Sequence, residues 1–174
     1  IRDSSISLDR WVKVFYGDLG IALTDTYTSA IFFRQFDKKL SKLFDGVRHD
    51  SGDPIEFAQM TIDHYQKMGI NPLHKTIIFS DGLNPEKVEN ITKFCKNKIG
   101  ISFGIGTNLT NDTGLRPMNI VMKLTGISSY DIPWTGVVKL SDEGNKHTGN
   151  VRDIELAKEI LQLGDIASHD EYLQ

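Results

Sequence analysis

Charged residues and glycines follow four short apolar runs of this sequence, each at the point where the run ends. The four endings are Thr24-Asp25-Thr26, RHDSGD at 48–53, Ser80-Asp81-Gly82 and GIGTN at 104–108. The arginine guanidinium binds two phosphate oxygens at once, as a bidentate contact. Carboxylates accept hydrogen bonds from sugar hydroxyls or hold Mg²⁺ through water. Glycine-rich turns expose backbone N–H groups that bind anions. Together these endings predict a site for a polyhydroxylated, phosphorylated ligand.

The four runs that precede these endings predict buried strands. They span residues 19–25, 44–50, 76–81 and 100–106, and their apolar residues do not alternate cleanly with polar ones. Such runs are typical of strands that are covered on both faces of a parallel sheet. Because ligands bind at the carboxyl edge of parallel α/β sheets, we expect the four endings to lie close together. Two weaker strand candidates follow, at Asn119–Leu124 and Gly136–Leu140.

Amphipathic helices alternate with these strands. The spacing of apolar residues predicts helices over Ser29–Leu43, Pro54–Met68, Pro85–Lys96 and Asp153–Leu163. The alternation, with crossovers long enough for parallel strands, favours an α/β fold. A closed eight-stranded barrel takes about 250 residues, whereas the chain has 174. The chain is therefore either an open doubly wound sheet or the later part of a larger barrel.

The acidic residues of the first two endings also have a purely structural explanation. Asp25 is a possible cap for the helix that follows it, and Asp53 is predicted to cap the helix that begins at Pro54. Asp50 lies three residues too early for that cap. It shares a strand face with Arg48, two positions back, and we predict that this pair is functional.

For the third and fourth endings, too, a functional role can be weighed against a purely structural one. Asp81 is not needed as a cap because Asn84 precedes the next helix, and Gly82 allows a ligand to approach the backbone closely. The GIGTN segment at 104–108 is either an anion-binding turn or only a tight turn.

The histidines are scattered without metal-ligand spacing, so no zinc site is predicted, and His64 is expected on a helix surface.

Composition excludes several classes of protein. Twenty Lys and Arg against 23 Asp and Glu give a net charge of −3, which argues against general electrostatic binding of nucleic acid. The apolar runs are shorter than the about 20 residues that span a bilayer, so no membrane partner is expected. Cys95 is the single cysteine and cannot form an internal disulfide, which favours a reducing, cytoplasmic setting.

Six segments in this order resemble the C-terminal half of the nicotinate phosphoribosyltransferase family. They are GIALTDT (20–26), GVRHDSGDP (46–54), IIFSDGL (77–83), SFGIGTNLTND (102–112), NIVMKL (119–124) and VVKLSD (137–142). The resemblance runs from about residue 4 to residue 164. It implies a partial (β/α) barrel of mainly parallel strands, like that of type II phosphoribosyltransferases. Residues 1–174 would be the C-terminal part of this barrel domain, without the N-terminal domain and the first strands.

The resemblance also implies an activity and its partners. The family joins nicotinate to phosphoribosyl pyrophosphate in NAD salvage, giving nicotinate mononucleotide and pyrophosphate, with ATP hydrolysis coupled to turnover. Mg²⁺ is expected to accompany phosphoribosyl pyrophosphate and ATP, and no residue is predicted as a dedicated metal ligand. The expected macromolecular partner is a second copy in a homodimer, or the missing N-terminal half.

Site residues carry over one by one from the family to this sequence. Arg48 would contact the substrate phosphates or pyrophosphate, Asp50 would hold the ribose hydroxyls, and Asp25 would orient the active-site histidine. These three are the predicted catalytic residues. Ser80, Asp81 and Gly82 are predicted to bind substrate at the ribose side, and Gly104, Gly106 and Thr107 would grip the 5′-phosphate.

The family's histidine lies N-terminal to the segment that resembles Gly20–Thr26, and this sequence has no histidine before Gly20. The chain alone is therefore expected to carry half of a site and to be inactive. Three alternatives stay open at this point. One is an enzyme like nicotinamide or quinolinate phosphoribosyltransferase, and another is a non-catalytic remnant that binds phosphate or dimerises. The third is a purely structural half-barrel whose exposed apolar edge needs a partner.

Overall fold

A parallel four-stranded sheet forms the centre of the computed structural model, which describes residues 4–118, 120–143 and 146–163. Its strands lie in chain order and are β1 (Ile21–Leu23), β2 (Gly46–His49), β3 (Thr76–Phe79) and β4 (Gly100–Phe103). All four predicted strands and the mixed α/β class are thereby confirmed. In the described part of the chain, β1 and β4 are the two edges of this sheet and do not pair with each other.

The register of the sheet brings the four polar endings to one edge. Leu23 pairs with Arg48, Arg48 with Ile78, and Ile78 with Ser102. Because the strands are parallel, the residues that follow their last residues all lie at the same edge. Two positions beyond the pairs named above come Asp25, Asp50, Ser80 and Gly104, just past the strand ends. The predicted convergence at the carboxyl edge is therefore present in the fold.

Two of the predicted helices form close to their predicted bounds because their caps are strong. Helix α4 (Pro54–Lys67) begins after Asp53, whose side chain accepts hydrogen bonds from the N–H groups of Ile55 and Glu56. Helix α5 (Pro85–Cys95) begins after Asn84, which accepts from the N–H of Lys87. Each helix has proline in its first turn, where the missing N–H costs no hydrogen bond.

The single helix predicted over Ser29–Leu43 is wrong, because the chain forms two helices there. Helix α2 (Ser29–Gln35) ends at Gln35, with Phe36 as its C-cap, and helix α3 (Lys38–Leu43) begins after Asp37. The Asp37 carboxylate accepts from the N–H of Leu40 and so starts a new helix instead of continuing the first.

The apolar core lies between the sheet and these helices. Val47 and Ile77 of the central strands are fully buried, as are Phe36 and Tyr65 from the helices. His64 belongs to this core, so its predicted surface position is wrong. Its ring packs against Phe33 and Phe36, its Nε2 lies 3.0 Å from Ser41 Oγ, and burial lowers its pKa to about 4. The ring is therefore neutral at physiological pH.

Both weaker strand predictions are wrong within the described residues. Residues 120–124 form no strand, and Asn119 lies outside the described residues. Over 136–140, Gly136 only ends a strand and Lys139 makes an isolated bridge to Thr148. The chain instead builds an antiparallel hairpin from β5 (Gly126–Ser129) and β6 (Ile132–Gly136). An apolar run becomes a strand only where a neighbour satisfies its backbone, and residues 120–124 have no such neighbour here.

Three further helices complete the description. Helix α1 (Ser4–Phe15), which the sequence pattern did not predict, packs on the core through Leu8 and Val12. The short α6 (Thr107–Thr110) follows the glycine turn, and α7 (Val151–Ile160) replaces the helix predicted over Asp153–Leu163. A 3₁₀ turn spans Pro72–His74. None of the described helices is long and apolar enough to cross a membrane.

Candidate active site

Asp25 is a buried carboxylate at the end of β1, with only 1% of its surface exposed. It does not cap α2, because Thr28 takes that place by accepting from the N–H of Ile31. Its Oδ2 receives the Lys139 ammonium at 2.9 Å and the Ser51 hydroxyl at 2.9 Å. Its Oδ1 is buried and has no hydrogen-bond partner among the described residues. Asp25 therefore has a free acceptor at the predicted ligand edge.

Lys139 is one of the site residues that sequence reasoning missed. Its Nζ lies 2.9 Å from Asp25 Oδ2 and 3.8 Å from Asp50 Oδ2, so one cation serves two strand ends. The N–H groups of Leu140 and Ser141 donate to the carbonyls of Thr26 and Asp25, which fixes this segment beside the end of β1. The only signal in the sequence was a charged residue between the apolar residues of VVKLSD.

Arg48 and Asp50 project together from the end of β2, as predicted. Arg48 Nη2 lies 3.4 Å from Asp50 Oδ2, and the Ser80 hydroxyl lies 2.9 Å from Asp50 Oδ1. The Arg48 side chain is 42% exposed, whereas its Nε is buried and has no hydrogen-bond partner among the described residues. The exposed part of the guanidinium, and not the buried Nε, is therefore accessible to an anion.

Asp142 anchors the segment after Lys139 to the end of β1. Its two carboxylate oxygens accept from the Ser29 N–H at 2.7 Å and the Ser29 hydroxyl at 2.6 Å. Its own N–H donates to Ser51 Oγ at 3.2 Å. Burial raises the pKa of Asp142, against the opposing effect of the two Ser29 hydrogen bonds. Ser51 thus joins the Asp25 carboxylate to the backbone N–H of Asp142.

Lys146 extends the same segment to the end of β3. Its Nζ lies 3.0 Å from Asp81 Oδ1 and 3.1 Å from Glu143 Oε2. Burial acts to lower the pKa of Lys146, but the hydrogen bonds and charges of Asp81 and Glu143 outweigh it, so that the pKa is raised. Asp81 is therefore placed at the site and is held there by a cation the sequence analysis had not considered.

The predicted phosphate turn lies at the same edge, beside Ser80. The Gly104 N–H donates to the carbonyl of Phe79 at 2.8 Å, and a Cβ built on Gly104 would lie 3.4 Å from Ser80 Cβ. Gly106 and Thr107 are exposed, and a Cβ on Gly106 would meet no atom within 4 Å. The backbone of this turn is therefore open to a ligand.

His49 lies inside the site but is not a candidate base. It is 1% exposed, packs between Phe57 and Phe79, and its Nε2 lies 3.1 Å from the carbonyl of Gly52. Burial lowers its pKa, so the neutral ring donates through Nε2 and holds the turn at 50–52 in place.

The charges of the described site do not balance. It holds three cations, Arg48, Lys139 and Lys146, and five carboxylates, Asp25, Asp50, Asp81, Asp142 and Glu143. Two negative charges are in excess. Within the described ranges, no group of three or more His, Cys, Asp or Glu residues is arranged to hold a metal ion. An anionic ligand therefore needs additional positive charge from outside these residues.

Comparison with known proteins identifies relatives over nearly the whole chain. The model of the nicotinate phosphoribosyltransferase (NAPRTase) family matches residues 2–165. The nicotinate phosphoribosyltransferase of Chromohalobacter salexigens is 60% identical over 160 residues, which cover 92% of this chain and 41% of the relative. That of Methanosarcina acetivorans is 50% identical over 159 residues, covering 89% of this chain and 38% of the relative.

Solved structures agree with these sequence matches. The crystal structure of nicotinate phosphoribosyltransferase from Porphyromonas gingivalis has a TM-score of 0.88 and 45% identity, and covers 92% of this chain and 42% of its own. A putative nicotinate phosphoribosyltransferase from Saccharomyces cerevisiae has a TM-score of 0.82 and 31% identity, and the match covers 92% and 40% of the two chains. The chain thus spans about two fifths of the length of these relatives.

The Asp25–Lys139 pair makes a stability prediction. Lys139→Met leaves a buried carboxylate without its cation, so we expect the free energy of unfolding in urea at neutral pH to fall by about 2 kcal/mol, discounted for the partial exposure of Lys139. The double variant Asp25→Asn, Lys139→Met should recover part of this loss. Lys39→Met, which removes the cation of an exposed pair with Asp9, is the matched control. A Lys139→Met variant as stable as the parent contradicts the pairing.

Proposed function

Because this chain belongs to the nicotinate phosphoribosyltransferase family, we propose that it supplies the phosphoribosyl side of that enzyme's active site. The complete enzyme would join nicotinate to phosphoribosyl pyrophosphate, giving nicotinate mononucleotide and pyrophosphate, with ATP hydrolysis coupled to turnover. The observation that carries the proposal is that Asp25, Asp50, Ser80 and Gly104 follow four parallel strands at one sheet edge, where Lys139 lies between Asp25 and Asp50 and the Ser80 hydroxyl contacts Asp50. Four strand ends at one edge suit a ligand with a sugar between two phosphate groups.

The chemistry explains why these residue types are needed. Displacement of pyrophosphate from C1 of the ribose develops positive charge on the sugar and negative charge on the leaving group. Arg48 and Lys139 would stabilise the departing pyrophosphate, while Asp50 and Asp81 would hold the ribose hydroxyls and favour the positive sugar. Binding of the remote 5′-phosphate by the 104–107 backbone supplies energy that is used to position C1.

Asp25 has a separate role in this proposal. Its Oδ2 is occupied by Lys139 and Ser51, but its Oδ1 is buried without a partner among the described residues. A buried carboxylate oxygen is expected to accept a hydrogen bond. We assign that bond to the histidine that the family carries N-terminal to this segment, so Asp25 would be the residue that orients it.

Mg²⁺ fits the donor set of this edge. The excess of carboxylates over cations disfavours a bare polyanion, and Mg²⁺ is usually held by one or two carboxylates together with substrate phosphates. Asp50 and Asp81, predicted to face the sugar and pyrophosphate, would hold the ion through water. When bound, Mg²⁺ supplies the positive charge that offsets the pyrophosphate.

The partial barrel is also a proposal about the complete subunit. In the described residues β1 is an edge strand, and the N–H groups of Leu140 and Ser141 bond to the carbonyls of Thr26 and Asp25 just beyond its end. We propose that the missing strands of the complete subunit continue the sheet from there toward a barrel, with residues 1–174 as its C-terminal part. The cytoplasmic location stays a prediction that is based on the single cysteine.

A long exposed apolar arm supports a partner for this chain. Between Leu109 and Trp134, large apolar side chains are exposed that a stable surface rarely leaves together, among them Leu115 (73%), Ile120 (74%), Met122 (94%) and Trp134 (71%). The matched relatives have about three fifths of their length outside this segment. We propose that the N-terminal part of such an enzyme covers the arm.

Arg48 provides the direct test of the active site. In the complete subunit that carries this sequence, Arg48→Ala should lower kcat/KM for phosphoribosyl pyrophosphate by about 10²-fold or more, equivalent to about 2.7 kcal/mol. Arg152→Ala, in the exposed part of α7, is the matched control and should retain activity. Steady-state production of nicotinate mononucleotide measures both. An unchanged kcat/KM for Arg48→Ala would remove this residue from the site. Turnover by the 174-residue chain alone would contradict the proposal that the chain supplies only the phosphoribosyl side of the site.

The apolar arm makes an interaction prediction. The chain should co-purify with the unmatched N-terminal part of the Chromohalobacter salexigens relative, and Met122→Glu should weaken that complex at least about tenfold because a charge must then be buried. Leu73→Glu changes an equally apolar exposed residue near the amino edge of the sheet and is the control. Light scattering that shows only homodimers of this chain would contradict the proposal. So would a Met122→Glu variant that binds the N-terminal part as tightly as the parent does.

A further inference from the structure

Glu143 makes two contacts inside the candidate site that need explanation. Its Oε1 accepts from the N–H of Gly52 at 3.2 Å, and its Oε2 lies 3.1 Å from Lys146 Nζ. Its partners come from different parts of the chain: Gly52 follows β2, and Lys146 belongs to the segment that also binds Asp81. The Glu143 carboxylate thus binds the Gly52 N–H and the Lys146 ammonium group at the edge where the ligand is proposed to bind.

Both groups that Glu143 occupies are of the kind that binds phosphate. Gly52 has a φ of +83°, in the left-handed region, within a turn that directly follows Asp50. Turns of this kind present backbone N–H groups to anions, and an ammonium adds a point charge. The Gly52 N–H is the main cause of a lowered pKa for Glu143, so the side chain is ionised at neutral pH. The Glu143 carboxylate lies where the oxygens of a bound anion would contact the Gly52 N–H and the Lys146 ammonium.

We propose that Glu143 is an internal competitor for the phosphate groups of the substrate, an inference that rests on the proposed function. In the free protein, its carboxylate holds the Gly52 N–H and the Lys146 ammonium. A phosphorylated ligand takes over these two groups and displaces the Glu143 side chain. Glu143 therefore lowers the affinity of the site for simple anions, and a ligand binds well only if its other contacts compensate.

The residues directly before Glu143 are held in place without its side chain. Asp142, one residue earlier, is anchored by two hydrogen bonds from Ser29, and Leu140 and Ser141 bond to the backbone beside β1. The Glu143 side chain is 34% exposed, so it can leave without opening the core. Replacing its charge should therefore change ligand affinity while the fold and the residues before Glu143 stay in place.

The probe for this inference is inorganic pyrophosphate, titrated into the 174-residue chain by calorimetry at neutral pH with Mg²⁺ at the same fixed concentration for every variant. Glu143→Gln keeps the shape and removes one of the two excess negative charges, so pyrophosphate should bind about five- to tenfold tighter than to the parent. Glu89→Gln, on the exposed face of α5, is the matched control and should leave the affinity unchanged. Lys146→Gln should weaken binding, because it removes a cation that the anion uses.

Three results would overturn the inference. They are equal affinity for the parent and Glu143→Gln, weaker binding by Glu143→Gln, and no pyrophosphate binding by any of these chains at millimolar concentration. Weaker binding would mean that Glu143 positions Lys146 for the ligand. Because the titration needs no turnover, its failure is separate from failure of the proposed function, which the Arg48→Ala assay of the complete subunit tests.

Discussion

The contact between Asp25 and Lys139 is the interaction on which the site depends. A carboxylate that is 1% exposed requires a counter-charge or a proton, and Lys139 provides the charge at 2.9 Å. Because Lys139 also lies 3.8 Å from Asp50, the same ammonium sets the ends of β1 and β2 relative to each other. The backbone bonds of Leu140 and Ser141 hold these two residues beside the end of β1. Lys139 thus joins the ends of the first two strands at this edge.

The remaining carboxylates give this edge its selectivity in our account. Asp50, Asp81 and Glu143 are each paired with a cation, so the free site presents few unpaired positive groups. A ligand must replace these internal pairs with its own phosphates and hydroxyls, together with the charge of an accompanying Mg²⁺. A simple anion that makes one or two contacts gains too little binding free energy to replace the internal ion pairs. This arrangement favours a ligand that reaches several strand ends at once.

Sequence alone predicted the parts of this structure that local patterns determine. The four buried runs gave the strands, and Asp53 and Asn84 gave two helix starts, because caps and burial patterns act within a few residues. Arg48 and Asp50 were predicted as a functional pair because their spacing on one strand fixes their common face. The structure brings these two, together with Asp25, Ser80 and Asp81, to a single edge.

The errors and omissions come from contacts between distant residues or from competing local ones. Lys139 meets Asp25 across more than a hundred residues, and no local pattern encodes that pairing. Asp37 split a helix whose apolar spacing was continuous, and His64 is buried because Phe33 and Phe36 surround it. Residues 120–124 have the composition of a strand, but strand formation requires a partner that the described chain does not provide.

The central claim is that the four strand ends form one phosphoribosyl site, and backbone amide NMR shifts test it most directly. An isotope-labelled chain is titrated with phosphoribosyl pyrophosphate and Mg²⁺. The account predicts that the largest shifts occur at the amides of Gly52, Gly82, Gly104 and Gly106. Shifts confined to the cavity of about 350 Å³ that Gln66, Asn71 and Lys98 line near the opposite edge, or no shifts at millimolar ligand, would contradict it.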